Sequence, residues 1–354
     1  MRLAELTTTG VGGPAARYVE ATTEAELIDA VTRADDAGEP LLLIAGGSNL
    51  VVSDAGFAGR VVRVATRGSS LEDLASCSGG MIAVQAGHPW DEFVAETLQN
   101  GFVGLEALSG IPGSAGATPV QNVGAYGAEV AQTISRVRTW DRAERRIVSF
   151  ANADLQFAYR DSLLKRTTAN GSPRYVVLQT TFQLKQGTLG APIGYAELAR
   201  ALDAEVGDRV EAARIREAVL RLRAGKGMVL DAADRDTWST GSFFTNPIVP
   251  AERAEGLPDG APRYPAGDGL VKLSAAWLID RSGFGKGYGL EGTDGFGLAG
   301  GRASLSTKHT LAVTNRGGAT ASDILAVARA VRDGVEERFG IRLHNEPLLI
   351  DESL

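Results

Sequence analysis

Apolar residues recur at helical spacing in four segments of the chain, which predicts four amphipathic helices. The first segment begins at Thr23, and Thr23 and Glu26 together form a capping-box pattern. In each segment, a glycine that can stop a helix follows the last periodic residue. The residues expected on the buried faces are Leu27, Val31 and Ala34, then Trp90, Phe93, Val94, Thr97 and Leu98, then Ile215, Val219 and Leu222, and finally Leu325, Ala328, Val331 and Val335.

Short apolar runs between these segments predict strands. Strands mixed with a few helices indicate an α+β fold, and 354 residues are enough for two or three domains. The clearest runs are Leu41–Ile44 and residues 81–84, 137–140 and 175–184.

Two later segments are less regular. Residues 250–269 are rich in Pro, Gly, Ala and Asp and are expected to form a surface loop. Residues 341–350 resemble a strand that Pro347 interrupts, which places Glu346 in extended backbone.

Composition excludes several classes of protein. Hydrophobic residues make up 44% and charged residues 22%, so disorder is not expected. The net charge of −7 argues against a general nucleic-acid binder, which needs a basic surface. The single cysteine, Cys77, allows no intramolecular disulfide, and with three scattered histidines no metal site is expected. No apolar run reaches the roughly 20 residues of a membrane span, so we expect a cytoplasmic protein without membrane contact.

Glycine-rich loops are the candidates for a cofactor site. Gly46-Gly47-Ser48-Asn49 follows a strand, and successive backbone N–H groups in such a loop suit a pyrophosphate, although an ordinary tight turn explains this loop equally well by itself. It matches neither the Rossmann nor the Walker A spacing. Residues 104–127 contain six glycines and few charges, which favours a wall against a flat ligand over a plain helix–strand junction.

Three short motifs carry candidate chemistry. Arg160 stands in Tyr-Arg-Asp-Ser, Ser242 in Ser-Thr-Gly-Ser-Phe-Phe-Thr-Asn-Pro, and Glu346 in Asn-Glu-Pro. An arginine can bind a carboxylate through two hydrogen bonds. Each residue alone also has an ordinary interpretation: a solvated guanidinium, a capping hydroxyl and a solvated strand residue.

The two loops and three motifs, in this chain order, resemble the family that contains UDP-N-acetylenolpyruvoylglucosamine reductase, in its long-chain type I form. The resemblance covers nearly the whole chain. It implies a two-subdomain FAD-binding fold of the vanillyl-alcohol-oxidase (PCMH) type plus a C-terminal α+β substrate-binding domain. The implied division is 1–65 and 66–210 for the FAD-binding subdomains, 211–340 for the substrate domain, and 341–354 for a strand that returns Glu346 to the active site.

The resemblance also implies the roles of individual residues. Substrate contacts at the nucleotide sugar fall on Tyr195, Lys226, Asn246, Tyr264 and Lys286, although one extra residue before Lys286 departs from the family pattern. FAD contacts are expected at Gly46, Gly47, Ser48 and Asn49 for the pyrophosphate and at Gly113, Ser114, Ala117, Gln121, Asn122 and Gly124 for the flavin.

The implied reaction is NADPH-dependent reduction of UDP-N-acetylglucosamine enolpyruvate to UDP-N-acetylmuramate through FAD, in peptidoglycan precursor synthesis. Hydride adds at C3 of the enolpyruvyl group, and Arg160 stabilises the charge that spreads into the carboxylate. Ser242 protonates C2, with Lys226 as a possible activator. We hypothesise that Glu346 is protonated during hydride transfer, because an ionised carboxylate would oppose the developing charge.

Two other functions remain open from the sequence. A flavin oxidase of the same fold, acting on a hydroxy acid or an alditol, often tethers FAD through histidine or cysteine, and neither glycine loop contains one. A non-catalytic nucleotide-sugar sensor would predict loss of Arg160, Ser242 or Glu346, and all three are present. We expect a monomer.

Overall fold

The computed structural model describes residues 1–75 and 79–354, so Cys77 lies outside the described residues. The α-helices are α1 Glu24–Asp36, α2 Trp90–Gln99, α3 Leu163–Arg166, α4 Ala196–Ala201, α5 Ala212–Gly225, α6 Ala251–Glu255, α7 Ala275–Arg281, α8 Phe296–Ala299 and α9 Ala321–Phe339. The strands are β1 Ala15–Ala21, β2 Leu41–Ile44, β3 Leu50–Val52, β4 Phe57–Val64, β5 Ser69–Ala75, β6 Gly79–Gln85, β7 Phe102–Val103, β8 Gly124–Ala125, β9 Ala128–Glu129, β10 Ile134–Asp141, β11 Arg146–Ala151, β12 Thr168–Ala169, β13 Ser172–Pro173, β14 Tyr175–Gln186, β15 Ile248–Pro250, β16 Arg263–Pro265, β17 Leu270–Leu273, β18 Ala303–Leu305, β19 Val313–Asn315 and β20 Leu348–Ile350.

The chain forms two compact units. Unit 1 contains residues 1–14, 48–56 and 230–354, and unit 2 contains residues 15–47 and 57–229. The predicted boundaries at 65, 210 and 340 describe a different, finer division and stay a prediction.

The described residues of unit 2 form two larger sheets and two two-stranded pairs, β8 with β9 and β12 with β13. In the smaller sheet, β1, β4 and β2 pair in parallel. In the larger sheet, β11, β10, β14, β6 and β5 pair in that order, all antiparallel, and β7 also pairs with β14. Helix α1 begins as predicted, because the hydroxyl of Thr23 and the carboxylate of Glu26 make both capping-box hydrogen bonds.

A separate small core in unit 2 joins α4 and α5. Ile215 and Val219 on α5 are buried with Leu198 and Ala199 on α4. This packing places α5 in unit 2, close to the segment that carries Tyr195.

Unit 1 has three small sheets and the long helix α9, which packs against β18 and β19. Strands β15, β17 and β16 form an antiparallel sheet, β18 pairs with β19, and β20 pairs in parallel with β3. The predicted face of α9 is confirmed, since its apolar residues are fully buried and Gly340 ends the helix at a φ of +66°.

One local prediction in unit 1 was wrong, and another was confirmed. Residues 250–269 contain α6 and β16 rather than only a loop, because Ala254 and Leu257 are buried in the core of the unit. The predicted interruption at Pro347 is confirmed, since Asn345 forms a β-bridge, residues 346–347 form a bend, and β20 begins at Leu348. Pro347 has no N–H group to donate, so the ladder begins only at Leu348.

No helix in the described part of the chain combines the length and apolar character that crossing a bilayer requires.

Candidate active site

Two glycines bring the predicted cofactor loops of unit 2 into backbone contact. A Cβ on Gly46 would lie 2.5 Å from the Cα of Gly113, so any side chain at this position would force the loops apart. Gly47 has a φ of +58°, which favours glycine. Ser48 and Asn49, the second half of the predicted pyrophosphate loop, belong to unit 1.

The start of the predicted flavin loop is anchored by a carboxylate. Asp91 accepts from the Gly110 amide at 2.6 Å and pairs with Arg216 on α5, with 2.6 Å between Asp91 Oδ1 and Arg216 Nη1. Burial raises the pKa of the Asp91 carboxyl, but the hydrogen bonds from Arg216 and Gly110 hold it below its ordinary value. The carboxylate therefore stays ionised and fixes the entry of the loop.

Ser114 gives the loop an unused polar group. Ser114 is 3% exposed, and its Oγ has no hydrogen-bond partner among the described residues. A buried hydroxyl without a partner is costly unless a bound molecule supplies one. Beyond it, Ala117 ends a short 3-10 helix and Gln121 lies in the following turn, half-buried. These residues fit a polar, flat cofactor held against backbone.

The end of the flavin loop is a tight hairpin. Strands β8 and β9 pair around Tyr126 and Gly127, whose φ values are +51° and +82°. Two consecutive positive φ values are typical of a type I′ turn, and a tyrosine in that conformation is uncommon. Asn122, also at positive φ, donates from Nδ2 to Glu129 at 2.9 Å and to the carbonyl of Ala158 at 3.0 Å.

Arg160 is fixed to this hairpin. Its Nη2 donates to the carbonyl of Gly124 at 2.7 Å, and its Nη1 donates to the carbonyl of Asn122 at 3.3 Å. Arg160 itself has a φ of +54°. The structure thus brings the predicted catalytic arginine against two predicted flavin residues, Asn122 and Gly124.

A second group in unit 2 surrounds Tyr126. The rings of Tyr126 and Tyr195 meet edge to face at 5.9 Å, and the Nζ of Lys226 lies 5.6 Å from the centre of the Tyr126 ring. Lys226 Nζ also pairs with Glu197 at 2.6 Å. Burial raises the pKa of Tyr126 to about 12, so its phenol is neutral near pH 7. Two predicted substrate residues, Tyr195 and Lys226, are therefore neighbours.

In unit 1, residues 242–244 lie beside residues 345–346, near the C-terminus. The Glu346 amide donates to the carbonyl of Phe243 at 2.8 Å, and Phe244 forms a β-bridge with Asn345. Because Ser242 directly precedes Phe243, the backbones of the predicted proton donor and the predicted carboxylate are adjacent.

Asn49 connects the cofactor loop to the same part of the chain near the C-terminus. Its carbonyl accepts from the Leu348 amide at 3.0 Å, and its Nδ2 donates to the carbonyl of Glu346 at 3.4 Å. The predicted pyrophosphate residue Asn49 thus lies next to Glu346, through the pairing of β3 with β20.

Comparison with known proteins identifies the chain. Residues 15–149 match the family model of an FAD binding domain, and residues 233–350 match that of the C-terminal domain of UDP-N-acetylenolpyruvoylglucosamine reductase. The reductase of Streptomyces coelicolor is 53% identical, covering 99% of this chain and 90% of its own, and that of Nocardia farcinica is 55% identical, covering 99% and 88%. The chain belongs to the UDP-N-acetylenolpyruvoylglucosamine reductase family. It is an FAD-dependent oxidoreductase.

A solved member of the reductase family has the same overall fold. The crystal structure of the Thermus caldophilus reductase superimposes with a TM-score of 0.65 at 26% identity, covering 99% of this chain and 97% of that one. The predicted family, the α+β fold class and the FAD cofactor are confirmed. Arg160 follows the region matched by the FAD-binding model, whereas Ser242 and Glu346 lie within the reductase C-terminal region.

The other three predicted substrate residues, Asn246, Tyr264 and Lys286, belong to unit 1. The Oδ1 of Asn246 accepts from the Ala275 amide at 2.9 Å, at the start of α7. Tyr264 on β16 is 51% exposed and stands opposite Lys272 on β17. Lys286 is exposed in a glycine turn. Tyr264 and Lys286 are therefore open to a ligand, whereas Asn246 also caps a helix.

Two carboxylates that hold residues 234–242, Asp234 and Asp236, were not predicted from the sequence. Asp236 is 4% exposed and accepts from the Thr307 amide at 2.8 Å, from the Thr307 hydroxyl at 2.5 Å and from Arg316 Nη1 at 2.6 Å. Lys308 pairs with Asp234, with 2.5 Å between its Nζ and Asp234 Oδ2. Aspartates in an irregular segment give no periodic signal, so only the fold reveals their partners.

Proposed function

We propose that this chain reduces UDP-N-acetylglucosamine enolpyruvate to UDP-N-acetylmuramate with NADPH as the hydride donor. The observation that carries the proposal is the hydrogen bond from the Glu346 amide to the Phe243 carbonyl, at 2.8 Å. It makes Ser242 and Glu346 neighbours although about a hundred residues separate them in sequence. Bound FAD supplies hydride transfer from NADPH to the enolpyruvyl carbon C3.

Arg160 binds the carboxylate of the enolpyruvyl group. Negative charge spreads into that carboxylate as hydride arrives at C3, and a cation placed there in advance stabilises the transition state. Two of its hydrogen bonds go to the carbonyls of Asn122 and Gly124, and they orient the guanidinium.

Ser242 donates a proton from its hydroxyl to C2, which completes addition of hydride and proton across the double bond. A serine hydroxyl is a weak acid, so its oxygen must be positioned closely and its proton replaced. We assign Glu346 to the protonated form during hydride transfer, since a second negative charge beside the substrate carboxylate would oppose the reaction.

We assign the contacts to the nucleotide part of the substrate to Tyr195, Lys226, Asn246, Tyr264 and Lys286. Lysine ammonium groups suit the diphosphate as point charges. The exposure of Tyr264 and Lys286 supports their assignment. We further propose that the protein is a cytoplasmic monomer and that NADPH and the nucleotide sugar use the same pocket in turn.

Anaerobic absorption spectroscopy of the purified protein tests the reaction. We expect a yellow protein that bleaches with NADPH and regains its colour with UDP-N-acetylglucosamine enolpyruvate. Recovery of the colour with oxygen alone would favour an oxidase of the same fold. A protein that bleaches with NADH as fast as with NADPH would overturn the assignment of the donor.

A further inference from the structure

We propose that Asp236 is a positioning residue for Ser242, holding the segment 234–242 so that the Ser242 hydroxyl can reach the substrate carbon. The inference rests on the proposed function, because it assigns Asp236 a part in the proton-transfer step. Asp236 lies six positions before Ser242 and has no place in the roles assigned above.

The contacts of Asp236 attach the segment to the hairpin of β18 and β19. The carboxylate accepts from the amide and hydroxyl of Thr307, in the turn of the hairpin, and from Arg316, just past β19. Lys308, the residue after Thr307, binds Asp234 through its ammonium group. Two carboxylates of one short segment therefore bind one hairpin.

The rest of the segment is attached to its surroundings by single contacts. The carbonyl of Ser239 accepts from the Thr8 hydroxyl at 2.7 Å, and the carbonyl of Trp238 accepts from the Asn315 amide at 2.9 Å. Trp238 also packs on Gly10, where a Cβ would lie 2.8 Å from its ring. After Ser242, the Phe243 amide donates to the carbonyl of Leu311 at 2.7 Å.

Asp236 is the most highly connected of these attachments. It is the buried side chain on the segment that accepts three hydrogen bonds, one of them from a guanidinium. Charge-assisted bonds are stronger than neutral ones. Replacing Asp236 by asparagine removes the charge that pairs with Arg316 and turns one of the two accepting oxygens into an NH2 group, which weakens the attachment of the segment on the side before Ser242. A shift of the hydroxyl by about 1 Å is expected to slow the reaction by about 100-fold.

Stopped-flow absorption separates the two half-reactions and tests the inference. In Asp236→Asn, we expect reduction of the flavin by NADPH to stay within about twofold of the wild type, because no Ser242 proton is needed there. Reoxidation by UDP-N-acetylglucosamine enolpyruvate should slow by about 10- to 100-fold in its limiting rate, with little change in the substrate concentration at half-saturation. The solvent deuterium isotope effect on reoxidation should rise.

Asp323→Asn is the matched control. Asp323 is also a buried carboxylate of unit 1 paired with an arginine, with 2.7 Å between its Oδ1 and Arg302 Nη2, but it lies on α9 and its hydrogen bonds go to Arg302 and Thr320 instead of residues 234–242. We expect this variant to lose stability without a change in the isotope effect. Thr307→Val, which removes one donor to Asp236, is a milder variant for the case in which Asp236→Asn does not fold, and it should show the same pattern at smaller size.

A double variant decides whether Asp236 acts through Ser242. If it does, Asp236→Asn in a Ser242→Ala background adds no further slowing of reoxidation. Additive slowing, or equal loss in Asp236→Asn and Asp323→Asn, overturns the inference. A wild-type protein that the nucleotide sugar does not reoxidise contradicts the proposed function instead, so the two failures are distinguishable.

Discussion

Arg160 in unit 2 and the Ser242 segment in unit 1 are held in different ways. The guanidinium of Arg160 donates to the carbonyls of Asn122 and Gly124, and the loops around it approach through glycines such as Gly46. The Ser242 segment is held by the carboxylates of Asp234 and Asp236, which bind Lys308, Thr307 and Arg316.

The difference follows from the two tasks. A residue that must attract a substrate carboxylate can be oriented by hydrogen bonds from its guanidinium to backbone carbonyls, as Arg160 is. A serine hydroxyl needs only an accurate position, and buried ion pairs can fix a segment without competing for a substrate that they do not touch. The two sites should therefore respond differently to mutation, pH and salt.

The largest effect is expected at Arg160. Arg160→Ala should slow reoxidation of the reduced flavin by the enolpyruvyl nucleotide sugar by about 100- to 1,000-fold, since removal of one donor to a developing anion costs about 3–4 kcal/mol. Arg160→Lys keeps the charge but cannot reach both carbonyls, so it should recover only part of the rate. Stopped-flow absorption measures both. A fully active Arg160→Lys variant would show that the carbonyl contacts do not matter.

Asp236→Asn should have the next largest effect, on stability. Breaking the pair with Arg316 is expected to lower the free energy of unfolding of unit 1 by about 2–4 kcal/mol, because the carboxylate is almost fully buried. Hydrogen exchange measured on peptides from unit 1 and unit 2 locates the loss. Equal loss of protection in the two units would contradict a local role.

The same variant predicts a pH dependence. Burial raises the pKa of the Asp236 carboxyl, but hydrogen bonds from Thr307 and Arg316 hold it below its ordinary value. The stability that Asp236 contributes is therefore fully present above the unfolded pKa of about 4 and is lost as pH falls through the lower folded value. The difference in unfolding free energy between wild type and Asp236→Asn should be constant above about pH 5, which is about one unit above the unfolded pKa. It should shrink in more acidic solution.

Part of the fold and of the candidate site could be predicted from the sequence. The capping box at Thr23, the buried face of α9 and the glycine loops follow from periodicity and turn chemistry, and the structure contains them. Arg160, Ser242 and Glu346 were found through short motifs, and the closeness of Ser242 to Glu346 could only come from tertiary pairing. The prediction of a surface loop at residues 250–269 was wrong, because it relied on composition and did not consider that Ala254 and Leu257 could be buried.

The missed residues share a physical reason. Asp236 and Glu197 are acidic residues whose importance depends on cations distant in sequence, Arg316 and Lys226, and neither periodicity nor a motif records such pairs. Tyr126 had one available signal, the Tyr-Gly sequence at the tip of a hairpin, but a tyrosine at positive φ is too uncommon to predict from composition.

The close approach of the two glycine loops gives a smaller effect, on cofactor binding and on stability. Gly46→Ala places a Cβ 2.5 Å from the Cα of Gly113, and the backbone shift that follows should cost about 1–3 kcal/mol. We expect a lower ratio of flavin to protein absorbance after purification and a lower melting temperature. Gly225→Ala is the control in the same unit, since no atom lies within 4 Å of its added Cβ. Full flavin content in Gly46→Ala would contradict tight contact between the loops.

The smallest effect is expected from the partly exposed ion pair of unit 2. Glu197 and Lys226 side chains are 30% and 34% exposed, so solvent and salt weaken their attraction, and Glu197→Gln should change the unfolding free energy by less than about 1 kcal/mol. Chemical denaturation at low and high salt measures this change, with Glu217→Gln, which loses an exposed pair with Arg221 on α5, as the reference. The difference between wild type and Glu197→Gln should nearly vanish at 1 M salt, where the screening length is about 3 Å, whereas that for Asp236→Asn should persist. If salt removes both differences alike, burial does not separate the two kinds of attachment, and the contrast between Arg160 and the Ser242 segment rests on geometry alone.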